Sequence, residues 1–173
     1  LEDLVEWVKF SGASWDKKGE GFFYSRYDAP EGDALKTANY YQKLCYHRLG
    51  EPQSEDRLIY ERPDHKEWGF YGHVTEDGNY LVIYVSQGTA EENGVFYLDL
   101  EDPTAVVTPL LTEFDAGYEL VTNFGNRFVF KTDFDAPLNR VIAVDIDRPA
   151  RAHWHEIIPE DDEKLESVNF VGS

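Results

Sequence analysis

Apolar and polar positions along this chain repeat one two-part phrase three times, at a spacing of about 50 residues. Each phrase is a tight turn leading into an apolar run, then a second apolar run that ends on a polar step. The first halves are Gly19 to Tyr24, Asp77 to Ile83 and Phe124 to Phe130. The second halves are Gln42 to His47, Gly94 to Asp99 and Asn139 to Asp145. Short apolar runs rich in Val, Ile, Phe and Tyr suit pleated, half-buried strands. Repetition of such strands at this interval is the signature of propeller blades.

A pass along the chain extends the pattern. Leu4 to Ser14 alternate loosely through Val5, Trp7, Val8, Phe10 and Ala13 and predict an entering strand. Trp15 to Gly19 predict a turn, and Phe22 to Arg26 a second strand. A loop from Tyr27 to Tyr41 follows, with Pro30, Gly32 and Asn39, and loops of that length are often functional. Leu44 to Leu49 and Arg57 to Glu61 complete the first unit. The second has strands at Trp68 to Val74, Tyr80 to Val85, Val95 to Leu100 and Ala105 to Leu111, with a strong hairpin signal at Glu76-Asp77-Gly78. The third has strands at Tyr118 to Thr122, Phe128 to Lys131, Arg140 to Ile146 and Trp154 to Ile158. Leu165 to Phe170 predict the start of a fourth. No segment sustains a helical period. The expected fold is all-β: about three four-stranded antiparallel blades, spanning residues 4–62, 67–113 and 117–160, plus a stub at 164–173.

Composition narrows the partners. The chain has 173 residues, 42% hydrophobic and 15% aromatic, enough for one domain with a sizeable core. Thirty-four acidic against 16 basic residues give a formal charge of −18. That sign argues against nucleic acid or an anionic membrane as partner, and solubility accounts for it. The single cysteine, Cys45, excludes an intramolecular disulfide and reads as a buried, inert thiol in a reducing compartment. No apolar run reaches membrane-spanning length and no signal peptide is visible. The chain starts at Leu1 and holds no methionine, which reads as a piece processed, trimmed or excised from something larger. A cytoplasmic location is expected, with a periplasmic one left open because a targeting segment would belong to the missing part.

Chemistry-bearing patterns are sparse. None of Ser11, Ser14, Ser25, Ser54, Ser86, Ser167 and Ser173 sits in the Gly-x-Ser-x-Gly frame of a strained nucleophile turn. His153 and His155 stand two apart on an expected strand and would share a face, but no third ligand completes a zinc site, so no metal is expected. The acidic clusters at Asp99 to Asp102 and Glu160 to Glu163 fall in expected turns, where a solvated charge run is the ordinary outcome. Paired carboxylates can hydrolyse glycosides, so a small glycosidase or lectin is a minor alternative. Glycine-rich phosphate loops are absent, and no cofactor is expected. Trp7, Trp15, Trp68 and Trp154 fall at entering or closing strands, where aromatics fill inter-blade cores; a sugar- or peptide-binding role for one of them stays open.

Specific residues then resemble a known family. Val8-Lys9-Phe10-Ser11 with Trp15, Gly19, Gly21 to Tyr24 and Arg26-Tyr27 resembles the prolyl oligopeptidases, also called prolyl endopeptidases. So do Gln42-Lys43-Leu44, Tyr46-His47, Leu49-Gly50 and Gln53 to Asp56, and, more loosely, Val121-Thr122-Asn123 and Phe128 to Thr132. The resemblance implies part of a seven-bladed propeller that sits beside an α/β-hydrolase domain carrying a Ser-Asp-His triad. That domain would be the chain's partner and is not in this sequence, so no catalytic residue is expected here and the chain is expected to be inactive alone. The resemblance further implies that the propeller gates access of short proline-containing peptides, that the Tyr27 to Tyr41 loop lies near the inter-domain entrance, and that Phe10 lines an outer apolar substrate subsite. Ordinary inter-blade packing is the competing reading of Phe10. Gly69, next to Trp68, stands where mammalian-type members carry Met; Ser86 and Thr89 stand where they carry Arg and Cys. A different class of reading is a stand-alone module that closes a propeller by self-association, because three units leave two open lateral faces.

Overall fold

The structure, a computed structural model, describes residues 3–29 and 39–171, so the centre of the long loop lies outside the described residues. Among the described residues twelve strands follow one another: β1 Ala13–Trp15, β2 Gly21–Arg26, β3 Lys43–Arg48, β4 Arg57–Glu61, β5 Trp68–Val74, β6 Tyr80–Gln87, β7 Asn93–Asp99, β8 Thr108–Leu111, β9 Tyr118–Phe124, β10 Arg127–Thr132, β11 Arg140–Asp145 and β12 His155–Ile158. They form three separate four-stranded antiparallel meanders, β1-β2-β3-β4, β5-β6-β7-β8 and β9-β10-β11-β12. Sheets one and two pack where β1, β2 and β3 meet β5, and sheets two and three where β7 meets β9.

The hydrophobic pattern explains the stacking. β6 reads Tyr-Leu-Val-Ile-Tyr-Val, apolar on both faces, because the middle sheet is covered twice. Its Leu81, Ile83 and Val85 turn toward sheet one, where they bury with Phe23, Leu44, Phe70 and Phe96. Its Val82 turns toward sheet three, into a cluster with Val95, Leu110, Leu111, Tyr118, Phe128, Phe130, Ile142 and Val144. A third, smaller cluster of Val129, Val141 and Ala143 lies on the far face of sheet three and is covered by Leu165 and Val168.

Three sequence expectations need correction. The entering strand is Ala13–Trp15, not Leu4 to Ser14. Trp7 and Phe10 adopt left-handed backbone, φ 61° and 53°, which breaks the alternation that suggested an extended run. Trp15 accordingly belongs to the strand and pairs with Phe22 rather than opening the turn. Leu165 to Phe170 form no strand; this segment is irregular and is held by Leu165 N–H donating to Leu138 O and by Asn139 Nδ2 donating to Leu165 O.

The hairpin signal at Asp77-Gly78 is realised and does more than turn the chain. Gly78 takes φ 74°, and a Cβ there would meet Lys17 Cβ of sheet one at 2.6 Å. Asp77 Oδ1 accepts from Thr75 Oγ1 at 2.6 Å and from Asn79 N at 3.0 Å, and its Oδ2 accepts from Asn123 of sheet three at 2.8 Å. Burial opposes ionisation of Asp77, but these hydrogen bonds outweigh it and hold the carboxyl below its usual range. The tip of one hairpin thus ties together all three sheets.

Candidate functional site

A cavity of about 500 Å³ opens where the first strand of sheet two begins, beside the segment that precedes sheet one. Phe10, Tyr27, Phe70, Tyr71 and Tyr84 supply apolar wall, and Asn39, Gln42, Ser86, Thr89 and Asn93 supply polar edge. Among the described residues, Glu67 is the only carboxylate in the lining. An apolar hollow with a few convergent amides and hydroxyls is the ordinary form of a small-ligand or peptide subsite.

Each wall is placed by an identifiable element. Phe10 is 79% exposed, and the loop that carries it is fastened on both sides. Gln42 Nε2 donates to Lys9 O at 3.1 Å, and Ser11 Oγ accepts from Ser25 N at 2.7 Å while donating to Gly12 O. Gln42 itself is buried, and its Oε1 accepts from Phe70 N at 2.6 Å. Ser25 Oγ donates to Phe70 O at 2.7 Å, so both backbone groups of Phe70 bond to side chains of the sheet-one region. Tyr84, on β6, accepts from Leu120 N at 2.8 Å, and burial pushes its phenol up to about 12. This wall is therefore a neutral tyrosine tied to sheet three. Asn93 is fixed by a reciprocal pair with Tyr118, accepting from its N–H at 2.7 Å and donating to its carbonyl at 3.2 Å.

The floor exists because residue 69 is glycine. A Cβ there would stand 2.8 Å from Ser86 Oγ and 3.3 Å from Gln42 Oε1, so any side chain displaces one of them and fills the hollow. Four positions singled out in the sequence, Phe10, Gly69, Ser86 and Thr89, come together around this one cavity although they lie on three separate segments.

Other sequence candidates are not brought to it. His155 begins β12, but His153 lies in the 3-10 turn Arg151–His153, so the two do not share a strand face as expected. Asp99 to Asp102 form a turn in which Asp99 Oδ1 accepts from Glu101 N and Asp102 Oδ1 from Thr104. Cys45 is buried, and burial raises its thiol pKa against the pull of Arg26. Trp68 stacks on His65, ring centroids 4.0 Å apart, and Trp154 packs between Tyr118 and Phe134; Trp7 and Trp15 are exposed. Elsewhere in sheet one, buried His47 Nδ1 and Asp56 Oδ1 lie 2.7 Å apart and Tyr24 donates to Asp56 Oδ2. Gln53 bridges from Tyr24 to the backbone of Glu6, which fastens the N-terminal segment to the sheet. Burial and the Asp56 hydrogen bond raise the Tyr24 phenol well above its usual range.

Sequence reasoning did not single out Gln42, Tyr71, Tyr84 or Asn93 as site residues. The available signal was a polar residue directly before an apolar strand, as at Gln42 and Asn93, where solvent-facing turn residues are the commoner explanation.

Comparison with known proteins agrees with this geometry. The sequence profile described as prolyl oligopeptidase, N-terminal beta-propeller domain, matches residues 1–173. Prolyl oligopeptidase A of Galerina marginata is 35% identical over 181 residues, covering 99% of this chain and 24% of that protein. The prolyl endopeptidase of Elizabethkingia meningoseptica is 35% identical over 173 residues, again covering 99% and 24%. Among solved structures, one from a study of two prolyl endopeptidases and their inter-domain dynamics superposes with a TM-score of 0.87 at 32% identity, covering 99% of this chain and 24% of that one. Prolyl oligopeptidase B of Galerina marginata, solved with a 35mer hydrolysis and macrocyclization substrate, superposes with a TM-score of 0.87 at 32% identity over 98% of this chain. The chain spans about a quarter of the length of the relatives it matches. With its three antiparallel four-stranded sheets, it belongs to the prolyl oligopeptidase N-terminal β-propeller family.

Proposed function

We propose that this chain is the propeller segment of a proline-directed serine peptidase, gating short proline-containing peptides to a separate α/β-hydrolase domain, and that the cavity beside Phe10 is an outer peptide subsite. The observation that carries this reading is the convergence of Phe10, Gly69, Ser86 and Thr89 on one aromatic-walled cavity in a chain of this family. An exposed phenylalanine held in left-handed backbone is an arrangement that packing alone does not reward, because strained residues persist where surroundings over-determine them and cluster at ligand sites.

Chemistry follows from the lining. Gly69 and Ser86 leave room that bulkier side chains would occupy, and neither adds a charge. The subsite therefore selects by size and apolar contact, with Asn39 at its edge offering an amide group to a peptide backbone, while the Gln42 and Asn93 amides are engaged within the protein. Binding energy from such a remote subsite acts on the reacting centre through positioning.

The test is kinetic. In the longer protein that carries this propeller, Phe10→Ala is expected to lower kcat/KM for a peptide extending several residues upstream of its proline. A substrate that ends before the outer subsite should be unaffected. Equal effects on both substrates would remove Phe10 from the binding site. Turnover of a Gly-Pro chromogenic substrate by the 173-residue chain alone would overturn the assignment of the chemistry to another domain.

A further inference from the structure

We propose that Gln42 is a positioning residue for Phe10: its buried amide anchors the backbone that carries Phe10 to β5 and so sets the wall of the cavity. The inference rests on the reading of the cavity as a peptide subsite and concerns a residue one layer behind it.

Three observations support it. Gln42 is 3% exposed, yet it lies before β3 with no sheet partner, so its side chain is ordered by its hydrogen bonds. Those bonds run in opposite directions. Oε1 accepts from Phe70 N–H on the free inner edge of β5, and Nε2 donates to the carbonyl of Lys9, directly before Phe10. A neutral amide offers both an acceptor and a donor in this length, which an ionised carboxylate of the same length does not. Finally, Phe10 sits at φ 53°, a conformation an aromatic residue keeps only when its flanks are held. Ser11 holds one flank through Ser25, and Gln42 holds the other. Gly69 completes the arrangement, since a Cβ there would press on Gln42 Oε1.

Glu and Gln are nearly isosteric, so Gln42→Glu separates the two bonds. At a pH high enough to ionise the buried carboxyl, the carboxylate still accepts from Phe70 N–H but faces the Lys9 carbonyl without a proton to give. In the longer protein, measured at such a pH, Gln42→Glu is expected to lower kcat/KM for the upstream-extended peptide about fivefold, the scale of one lost hydrogen bond. The short substrate should not respond, and in a Phe10→Ala background Gln42→Glu should change nothing further. Equal losses on both substrates, or additivity with Phe10→Ala, would overturn the proposal. Should Gln42→Glu fail to fold, Gln42→Met, of similar volume and without either bond, carries the same expectations. A second readout needs no substrate. With 4-fluorophenylalanine at position 10, one sharp fluorine resonance is expected in the native protein and a shifted or broadened one in Gln42→Glu and Gln42→Met. An unchanged resonance in both variants sinks the positioning role. If Phe10→Ala fails to separate long from short substrates, the subsite reading falls, while the fluorine spectra still decide whether Gln42 positions Phe10.

Discussion

The two seams of this molecule are built from the same parts and finished differently. Between sheets two and three, Phe128 and Phe130 are buried completely, Tyr80 and Tyr97 meet Phe128 edge-on, and the end of the seam near the start of β9 is closed by Tyr118, Phe134 and Trp154. Arg151 covers that end, 4.1 Å above the Phe134 ring and paired with Asp115. Between sheets one and two the middle mixes aliphatic and aromatic side chains, Leu44 against Leu81 with Gly72 letting them close and Tyr60 against Phe70 and Phe96, and the corresponding end is left hollow by Gly69 and Ser86. Both seams carry polar stitches between strands: Ser14 Oγ accepts from Val74 N in one, Tyr84 from Leu120 N in the other. Stitching is thus a device of the fold, whereas the hollow is particular to one seam. Where a repeat architecture departs from its own repeat is where a ligand site is best sought.

The comparison is most exposed to failure in the filled seam. Phe130→Ala removes a fully buried ring with no room to collapse and is expected to cost about 3–5 kcal/mol, read from denaturant unfolding. A loss below about 1 kcal/mol would mean that this seam is not the close-packed one. In the hollow seam the damaging change is addition. Gly69→Ala drives a methyl against Ser86 Oγ and is expected to cost about 1–2 kcal/mol. Most of that should return in the Gly69→Ala, Ser86→Gly double variant, because the two sites share one contact. Strict additivity would show that the strain is relieved elsewhere and that the hollow is softer than its geometry.

The sequence reveals the repeat because strands alternate and turns have strong residue preferences: Asp77-Gly78 marks a hairpin whatever surrounds it. β4 and β5 coincide with the runs Arg57 to Glu61 and Trp68 to Val74 read from the pattern. The N-terminal segment misleads for a physical reason. Trp7 and Phe10 take positive φ, which bulky residues avoid unless tertiary bonds impose it, and those bonds come from Gln53 to Glu6, 47 residues apart, and from Gln42 to Lys9, 33 apart. Leu165 and Val168 look like strand residues because they are apolar and spaced to cover a face, but they cover it without hydrogen-bonding into a ladder. At the site, Phe10 is visible through its resemblance to family members, whereas Tyr84 reads as one more strand tyrosine, since its role depends on Leu120 across the seam.

A proton can probe the junction that joins both seams. Asp77 has a folded pKa below its ordinary value, so its contribution is complete above the usual carboxylate range and is lost as pH falls through the lowered folded value. Asp77→Asn keeps the size but cannot accept from Thr75, Asn79 and Asn123 as a charge. It is expected to cost about 1–2 kcal/mol at neutral pH, given the junction's partial exposure, and to converge with the parent protein once the pH has fallen through the lowered folded value. Thermal melts across that range decide it. A difference that persists unchanged into acid would show that Asp77 stabilises the turn by shape, through the φ 74° Gly78 beside it, and not by charge.

The smallest expected effect is the sharpest test of what the hollow seam is for. Phe10 is 79% exposed, so Phe10→Ala is expected to leave unfolding free energy within about 0.5 kcal/mol of the parent. Removal of the ring even removes the reason for an aromatic residue to occupy left-handed backbone, and alanine tolerates φ 53° no worse. If instead Phe10→Ala cost as much as Phe130→Ala, the ring would be core, and the cavity beside it would be a packing fault between sheets one and two. Near-zero cost leaves recognition as the use of an exposed ring that two separate hydrogen-bonded flanks hold in place.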